Sequence, residues 1–291
     1  MTTRAVGQQQ TFLIVVIGDT CHPQWNSFWS VFDRSDCLVS GQTLETARDL
    51  VIAGLHPDLL ILFEDHVHQF AEREWLSFFA CSPLTRSVIV FTDWCESEPR
   101  TGSPLPGVIR IHWLRWMTSG KSLIASFRNQ SIASWHLPPT SSEEERLLAD
   151  LCQVASKHDQ VRFKRIGIVT PSRESFAWLE QVATSFADSV FWLREEDIPI
   201  QTNWSPDLLI IDSFEEPATS QQMIDALRRG AWPGIARATP CLVLLNFPRW
   251  EAVNELLCLG NVRVLPKPAL LTDLEQAITD LSQPMRTRTD S

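Results

Sequence analysis

The sequence predicts two α/β domains in tandem, each built on a parallel β-sheet that is covered on both faces. The first observation is a near-duplication, because His56–Phe63 reads HPDLLILF and Ser205–Asp212 reads SPDLLIID. Each copy also follows one apolar, strand-like run and precedes another. Continuous apolar strands that alternate with helical patterns are typical of a parallel sheet between two layers of helices. A segment that recurs once at such a long spacing indicates two domains and not a solenoid.

Length, charge and cysteine usage narrow the class of protein. The chain has 291 residues, 44% of them hydrophobic, which is enough for two cores of ordinary size. A net charge of −10 argues against broad electrostatic binding to nucleic acid or anionic membranes. No apolar run approaches the roughly 20 residues that cross a bilayer, and the polar segment 1–10 does not resemble a secretory signal. Seven cysteines without a Cys-x-x-Cys pair favour reduced thiols. We therefore expect a cytoplasmic protein with flexible tails at 1–10 and 284–291.

The first domain is predicted over residues 11–133. Its strands are expected in Phe12–Ile17, in the first copy of the duplicated segment and in Val88–Phe91. A helix between the first two strands is indicated by apolar residues at helical spacing, with Gly54 at its end. These apolar residues are Leu44, Ala47, Leu50, Val51 and Leu55. Three prolines and a glycine stand between Trp94 and Gly107, and they predict a loop in place of a further helix.

A linker over 134–162 and a second domain over 163–283 follow. Breakers at 137–142 precede a capping-box pattern, which predicts a linker helix at about 142–157. In the second domain, residues 194–204 are too few and too interrupted for a normal helix between strands. Complete helices are predicted for Arg249–Leu259 and Ala269–Leu281.

Three consecutive segments of the second domain form a specific combination. Pro240–Asn246 is a buried strand, Arg249–Gly260 is an amphipathic helix that ends on glycine, and Val264–Pro268 is a strand that closes on Lys-Pro. This combination resembles the last third of a response-regulator receiver domain, the phosphoryl-accepting switch of two-component systems. The resemblance implies a doubly wound, flavodoxin-like fold with five parallel strands in the order 2-1-3-4-5 in both domains. It also implies a cis peptide bond between Lys267 and Pro268.

A working receiver needs an aspartate at the end of its third strand, an acidic pair for Mg²⁺ after the first strand, a hydroxyl after the fourth and a lysine after the fifth. In the first domain the aspartate position is Phe63, which cannot accept a phosphoryl group. Asp19 survives from the acidic pair and Thr92 occupies the hydroxyl position, so the three residues outline a vestigial pocket. Strand alternation directs Glu64 to the face opposite residue 63. We expect no phosphorylation of this domain.

The second domain keeps two of these residues, Asp212 and Lys267. The acidic pair is replaced by Thr170 and Pro171, neither of which carries a negative charge for Mg²⁺. We therefore expect Asp212 and Lys267 to form a residual, partly buried ion pair. Glu215 and Glu216, which follow Asp212, are the alternative metal ligands.

Two further motifs are weak. Ser119–Ser122 resembles the end of a phosphate-binding P-loop, but the leading glycine is replaced by Arg115. Asp65–His68 offers two imidazoles without a recognisable third ligand, and we expect no metal site there. Trp113 and Trp116 are expected to pack in the core of the first domain.

Taken together, the resemblance implies a non-catalytic signalling and interaction protein made of two degenerate receiver domains (pseudo-receivers). It would have no output domain and no cofactor, and it would not be an enzyme. Receivers communicate through their fourth helix, fifth strand and fifth helix, and the second domain keeps all three. Trp250, Val253 and Asn254 on its fourth helix are the candidates for contact with a protein partner or a second copy of the chain.

Two alternatives remain open. In the first, Asp212 accepts a phosphoryl group from a histidine kinase in a phosphorelay, with Lys267 on the phosphate and Mg²⁺ as cofactor. In the second, the chain is an enzyme that uses a nucleotide, although the turns Gly18–Cys21 and Thr170–Arg173 lack a glycine-rich fingerprint. Ser172 and Arg173 make the second of these turns the better place for an anion.

Overall fold

The computed structural model of the chain describes residues 12–19, 28–32, 36–95, 104–129, 162–193, 205–212, 238–246 and 248–282, with isolated positions between these ranges. The chain divides into two compact units, and each unit contains one sheet. The domain boundaries at 11–133 and 163–283 stay predictions. The predicted linker helix at about 142–157 lies almost entirely outside the described residues, as do segment 194–204 and Glu215 and Glu216.

The first unit alternates strands and helices. Its strands are β1 (Leu13–Ile17), β2 (Cys37–Gly41), β3 (Leu59–Glu64), β4 (Arg86–Phe91) and β5 (Ile109–His112). Its helices are α1 (Leu44–Ile52), α2 (Glu72–Cys81) and α3 (Trp113–Arg128). Short 3-10 turns lie at Phe28–Val31 and Asp93–Cys95.

The second unit repeats this arrangement. Its strands are β6 (Phe163–Val169), β7 (Ala187–Leu193), β8 (Leu208–Asp212), β9 (Cys241–Asn246) and β10 (Val262–Lys267). Its helices are α4 (Arg173–Ala183), α5 (Trp250–Cys258) and α6 (Leu271–Ser282).

Both sheets have the predicted topology. All strand pairs are parallel, and the orders are β2-β1-β3-β4-β5 and β7-β6-β8-β9-β10. Counted within each unit, both orders are 2-1-3-4-5, so the predicted fold class is confirmed. Every residue of β3 and of β8 is buried, which explains why the duplicated segment reads as a continuous apolar run. The carboxyl ends of the strands in each sheet lie along one edge, where ligands bind in this class of fold.

Two local predictions need correction. The apolar stripe of α1 ends earlier than expected, because Gly54 adopts a φ of +88° and Leu55, beyond it, is 48% exposed. The proline-rich segment is not a plain loop, since Glu98 is helical and its carbonyl accepts a hydrogen bond from the Gly102 amide at 2.8 Å.

Candidate functional site

The Asp212–Lys267 pair forms at the carboxyl edge of the second sheet. Asp212 ends β8 and is 5% exposed, and Lys267 ends β10. The Nζ atom of Lys267 donates to Oδ1 of Asp212 at 2.8 Å. The Lys267–Pro268 bond is cis, as the resemblance predicted. The expected ion pair is therefore confirmed.

The second carboxylate oxygen of Asp212 is also occupied. The Thr170 hydroxyl donates to Oδ2 at 3.0 Å, and Thr170 is 2% exposed. The Thr170 carbonyl accepts a hydrogen bond from the Trp192 indole at 2.9 Å, which fixes the residue at the end of β6. A neutral hydroxyl thus contacts the aspartate where a receiver would carry an acidic residue.

Sequence reasoning missed the role of Thr170. The chain pattern showed only that the acidic pair was absent. A hydroxyl residue directly after the first strand is the signal that could have identified a donor, because the first and third strands are neighbours in this topology. Parallel pairing brings the two strand ends together, with Val169 opposite Ile211 in the register.

The N-terminus of α4 lies next to this site, and it already carries an acidic group. Ser172 caps the helix by accepting from the Ser175 amide at 3.2 Å, and it donates to the Glu174 carboxylate at 2.9 Å. Hydrogen bonds from the backbone amide of Glu174 and from Ser172 lower the pKa of Glu174. The turn predicted as the better place for an anion therefore has a carboxylate of the protein itself beside it.

Phe63, which occupies the position of Asp212 in the first domain, is part of an aromatic cluster and forms no ion pair. Phe63 is 1% exposed, and its ring centroid lies 4.5 Å from that of Trp25 and 4.0 Å from that of Phe28. Trp116 stacks on Phe28 at 5.4 Å. Trp113 and Trp116 are buried, which confirms their predicted core role.

The other two residues of the vestigial pocket do not combine with Phe63 into a polar site. Asp19 is exposed, whereas the buried Thr92 donates its hydroxyl to the Asp65 carbonyl at 3.0 Å. Gly18 approaches Phe63 closely, since a Cβ at residue 18 would lie 2.8 Å from the Phe63 carbonyl oxygen. The backbone and the aromatic ring together fill the space at this strand end.

A buried charge cluster on the opposite face of the first sheet was not predicted. Arg110 on β5 lies 3.0 Å from the Glu64 carboxylate and 2.6 Å from the Glu98 carboxylate. Its guanidinium also lies over the Phe91 ring, 4.8 Å from the centroid. Glu64 and Glu98 are 2% and 3% exposed. The prediction that Glu64 points away from the face of residue 63 is confirmed.

The predicted interaction face needs one correction. Asn254 is exposed and Trp250 is half-buried, so both can reach a partner. Val253, however, is 0% exposed and lies on the core side of α5. Its proposed role in direct partner contact is therefore wrong.

No metal site is found in the part of the chain that the structure describes, because no three His, Cys, Asp or Glu residues there are grouped as ligands. In Asp65–His68, His66 pairs with Asp65 at 2.5 Å. Ser119–Ser122 is helical within α3 and does not form a phosphate-binding loop. Over the same described residues, no helix is both long enough and apolar enough to span a bilayer.

Comparison with known proteins gives little guidance. No family model and no curated protein matches the chain. A crystal structure of phosphoglycerate oxidoreductase from Vibrio cholerae O395 matches with 15% identity and a TM-score of 0.24. The match covers 89% of this chain and 86% of that chain.

This match contradicts the prediction that the chain is not an enzyme, because the matched structure belongs to an oxidoreductase. We withdraw that prediction. A TM-score of 0.24 does not transfer the oxidoreductase activity to this chain either.

Proposed function

We propose that this chain is a cytoplasmic signalling protein made of two receiver-like domains, which acts through protein contacts and does not accept a phosphoryl group. The observation that carries the proposal is the occupancy of Asp212. Lys267 donates to one of its carboxylate oxygens at 2.8 Å and Thr170 donates to the other at 3.0 Å. Both oxygens of the carboxylate that would have to act as nucleophile therefore accept hydrogen bonds from the protein itself.

The electrostatics of the second domain support this proposal. A phosphoryl group on Asp212 would add negative charge to a site that is 5% exposed, and in such sites a divalent cation offsets that charge. Thr170 and Pro171 supply no carboxylate to hold the cation. Separating Lys267 from Asp212 would also leave a buried charge uncompensated, at a cost of about 3–5 kcal/mol.

The residue at the aspartate position of the first domain also supports the proposal. Phe63 has no group that can form an acyl phosphate, and the rings of Trp25 and Phe28 pack against it at the end of β3. A domain that has this fold without a phosphoacceptor still offers surfaces for protein contact. This step rests on analogy of fold.

We expect the chain to remain unmodified when it is incubated with acetyl phosphate and Mg²⁺ and measured by intact-mass spectrometry. The variant Asp212→Asn serves as the control for the site. Asp188→Asn, which changes an exposed aspartate of the same domain, is the matched control for non-specific modification.

A gain of one phosphoryl group that persists in Asp188→Asn and disappears in Asp212→Asn would contradict the proposal. It would establish the second candidate function, a phosphoacceptor at Asp212. The observation that favours this candidate is the position of Lys267, whose ammonium group at 2.8 Å from the carboxylate could also contact a phosphoryl oxygen.

We further propose that the partner surface lies on α5, around Trp250 and Asn254. Aromatic residues that are partly exposed are common anchors of protein interfaces. We expect the chain to self-associate and Trp250→Ala to weaken the association by about tenfold or more, measured by sedimentation velocity over a range of concentrations.

The matched control for this experiment is Trp178→Ala, because Trp178 is a 43% exposed tryptophan on α4 of the same domain. It should leave the association constant unchanged. A chain that stays monomeric at every concentration, or two tryptophan variants with equal effects, would refute the assignment.

A further inference from the structure

The buried cluster of the first domain joins three separate parts of the chain. Glu64 ends β3, Arg110 lies in β5 and Glu98 lies in the crossover between β4 and β5. The three groups are therefore brought together only by the folded sheet. Arg110 also donates to the Cys95 carbonyl at 3.3 Å, which connects the cluster to the 3-10 turn Asp93–Cys95.

The charges of this cluster do not balance. Two ionised carboxylates beside one guanidinium would leave one net negative charge in a site where both glutamates are at most 3% exposed. Such an excess charge is costly in a low-dielectric interior unless it is neutralised. A single bound proton would make the cluster neutral.

Among the residues that the structure describes, the groups around the cluster do not supply the missing positive charge. Of the described residues outside the cluster, His66 acts electrostatically on Glu64, but it pairs with Asp65 at 2.5 Å and its side chain is 68% exposed. Cys95 faces Glu64, and burial followed by the Glu64 charge raises the pKa of its thiol to about 12, so it stays neutral. Farther along β5, His112 pairs with Asp93 at 2.7 Å.

We propose that the first domain binds one proton on Glu64 within the Glu64–Arg110–Glu98 cluster, and that release of this proton loosens the 3-10 turn Asp93–Cys95, which carries Trp94. The Glu64 backbone carbonyl accepts from the Thr92 amide at 3.0 Å and from the Cys95 thiol at 3.7 Å. The same residue thus supports the 3-10 turn with its backbone and the cluster with its side chain.

The turn Asp93–Cys95 connects the buried cluster to the exposed surface of the domain. Trp94 is 82% exposed, although its neighbours Thr92 and Cys95 are buried. Its position depends on the turn that Glu64 and Arg110 support. Ionisation of Glu64 would repel the Glu98 carboxylate and weaken this support.

The direction of the pH effect follows from the pKa of Glu64. Burial raises this pKa above 4.5, the Glu98 charge raises it further, and Arg110 opposes both effects. A carboxyl group with a raised pKa in the folded state stabilises the fold fully below its unfolded value. This contribution is lost as the pH rises from 4.5 through the folded value.

The experiment combines two measurements on the full chain at about pH 5 and about pH 8. Infrared difference spectroscopy should detect a protonated carboxyl group that is lost between the two conditions and is absent from Glu64→Gln. Hydrogen exchange, corrected for its intrinsic pH dependence, should show protection of the turn Asp93–Cys95 falling by about tenfold in the native chain. In Glu64→Gln this protection should change by less than about twofold.

Two further variants keep the experiment decisive. Glu98→Gln should move the transition to lower pH, because the charge that raises the pKa of Glu64 is removed. Glu72→Gln, at an exposed glutamate of α2, should behave as the native chain. The proposal is overturned if the native chain shows no carboxyl signal that is lost between the two conditions, or if that signal persists in Glu64→Gln. It is also overturned if the protection of the Asp93–Cys95 turn falls equally in the native chain and in that variant.

Discussion

Replacing Arg110 with methionine is expected to destabilise the first domain by about 3–5 kcal/mol, one of the two largest effects we predict for any single substitution. The guanidinium lies 3.0 Å from Glu64 and 2.6 Å from Glu98, and both carboxylates are buried. Methionine keeps much of the volume of arginine, so the loss reports the uncompensated charge more than a cavity. Urea unfolding followed by tryptophan fluorescence measures the change.

The matched control is Arg48→Met in the same domain. Arg48 pairs with Glu45 at 2.9 Å on the surface of α1, where the Glu45 side chain is 70% exposed. Such pairs contribute about 0–1 kcal/mol. Equal effects of the two substitutions would contradict the argument. Adding Glu64→Gln and Glu98→Gln to Arg110→Met should restore part of the lost stability, because the cluster then holds no charge.

Truncating Phe63 to alanine should also destabilise the first domain by about 3–5 kcal/mol, the range typical of buried phenylalanines. The ring is 1% exposed and contacts the rings of Trp25 and Phe28. Its removal leaves a cavity that the short strand end cannot close, since the Gly18 backbone already lies against Phe63. The same unfolding experiment measures the loss.

Trp94→Ala is the comparison for this variant. Trp94 is larger than Phe63 but 82% exposed, so its truncation should change the free energy of unfolding by no more than about 0.5 kcal/mol. A small effect at Phe63 together with a large one at Trp94 would show that the aromatic cluster does not support the fold as described.

The fold was predictable because its signals are local and repeated. The duplicated apolar segment identifies β3 and β8, whose side chains are buried on both faces, and a run of this kind has few structural interpretations. The strand order followed from the resemblance of Pro240–Pro268 to a receiver, and the sheets have that order.

Long-range polar contacts were not predictable in the same way. Glu64 and Arg110 are far apart in sequence. They meet because β3 and β5 both pair with β4, which leaves only one strand between them. Arg110 stands between the apolar residues Ile109 and Ile111 in β5, and that position was the available signal. The Thr170–Asp212 contact likewise depends on the pairing of β6 with β8.

Val253 shows a different kind of error, which the sequence itself could have prevented. Val253 and Leu256 are spaced three residues apart on α5, and both are 0% exposed. This spacing places them on one face of the helix, toward the sheet. The interaction face was assigned by analogy, without reference to this periodicity.

The Thr170 hydroxyl has a consequence for the electrostatic field around the second domain. Because Thr170 is neutral, the charges of Asp212 and Lys267 cancel within the pair. A molecule that contacts this pair would displace few counter-ions from it, in contrast to one that enters a pocket with several unpaired acids. Ionic strength should therefore have little influence on the contribution of the pair to such an encounter.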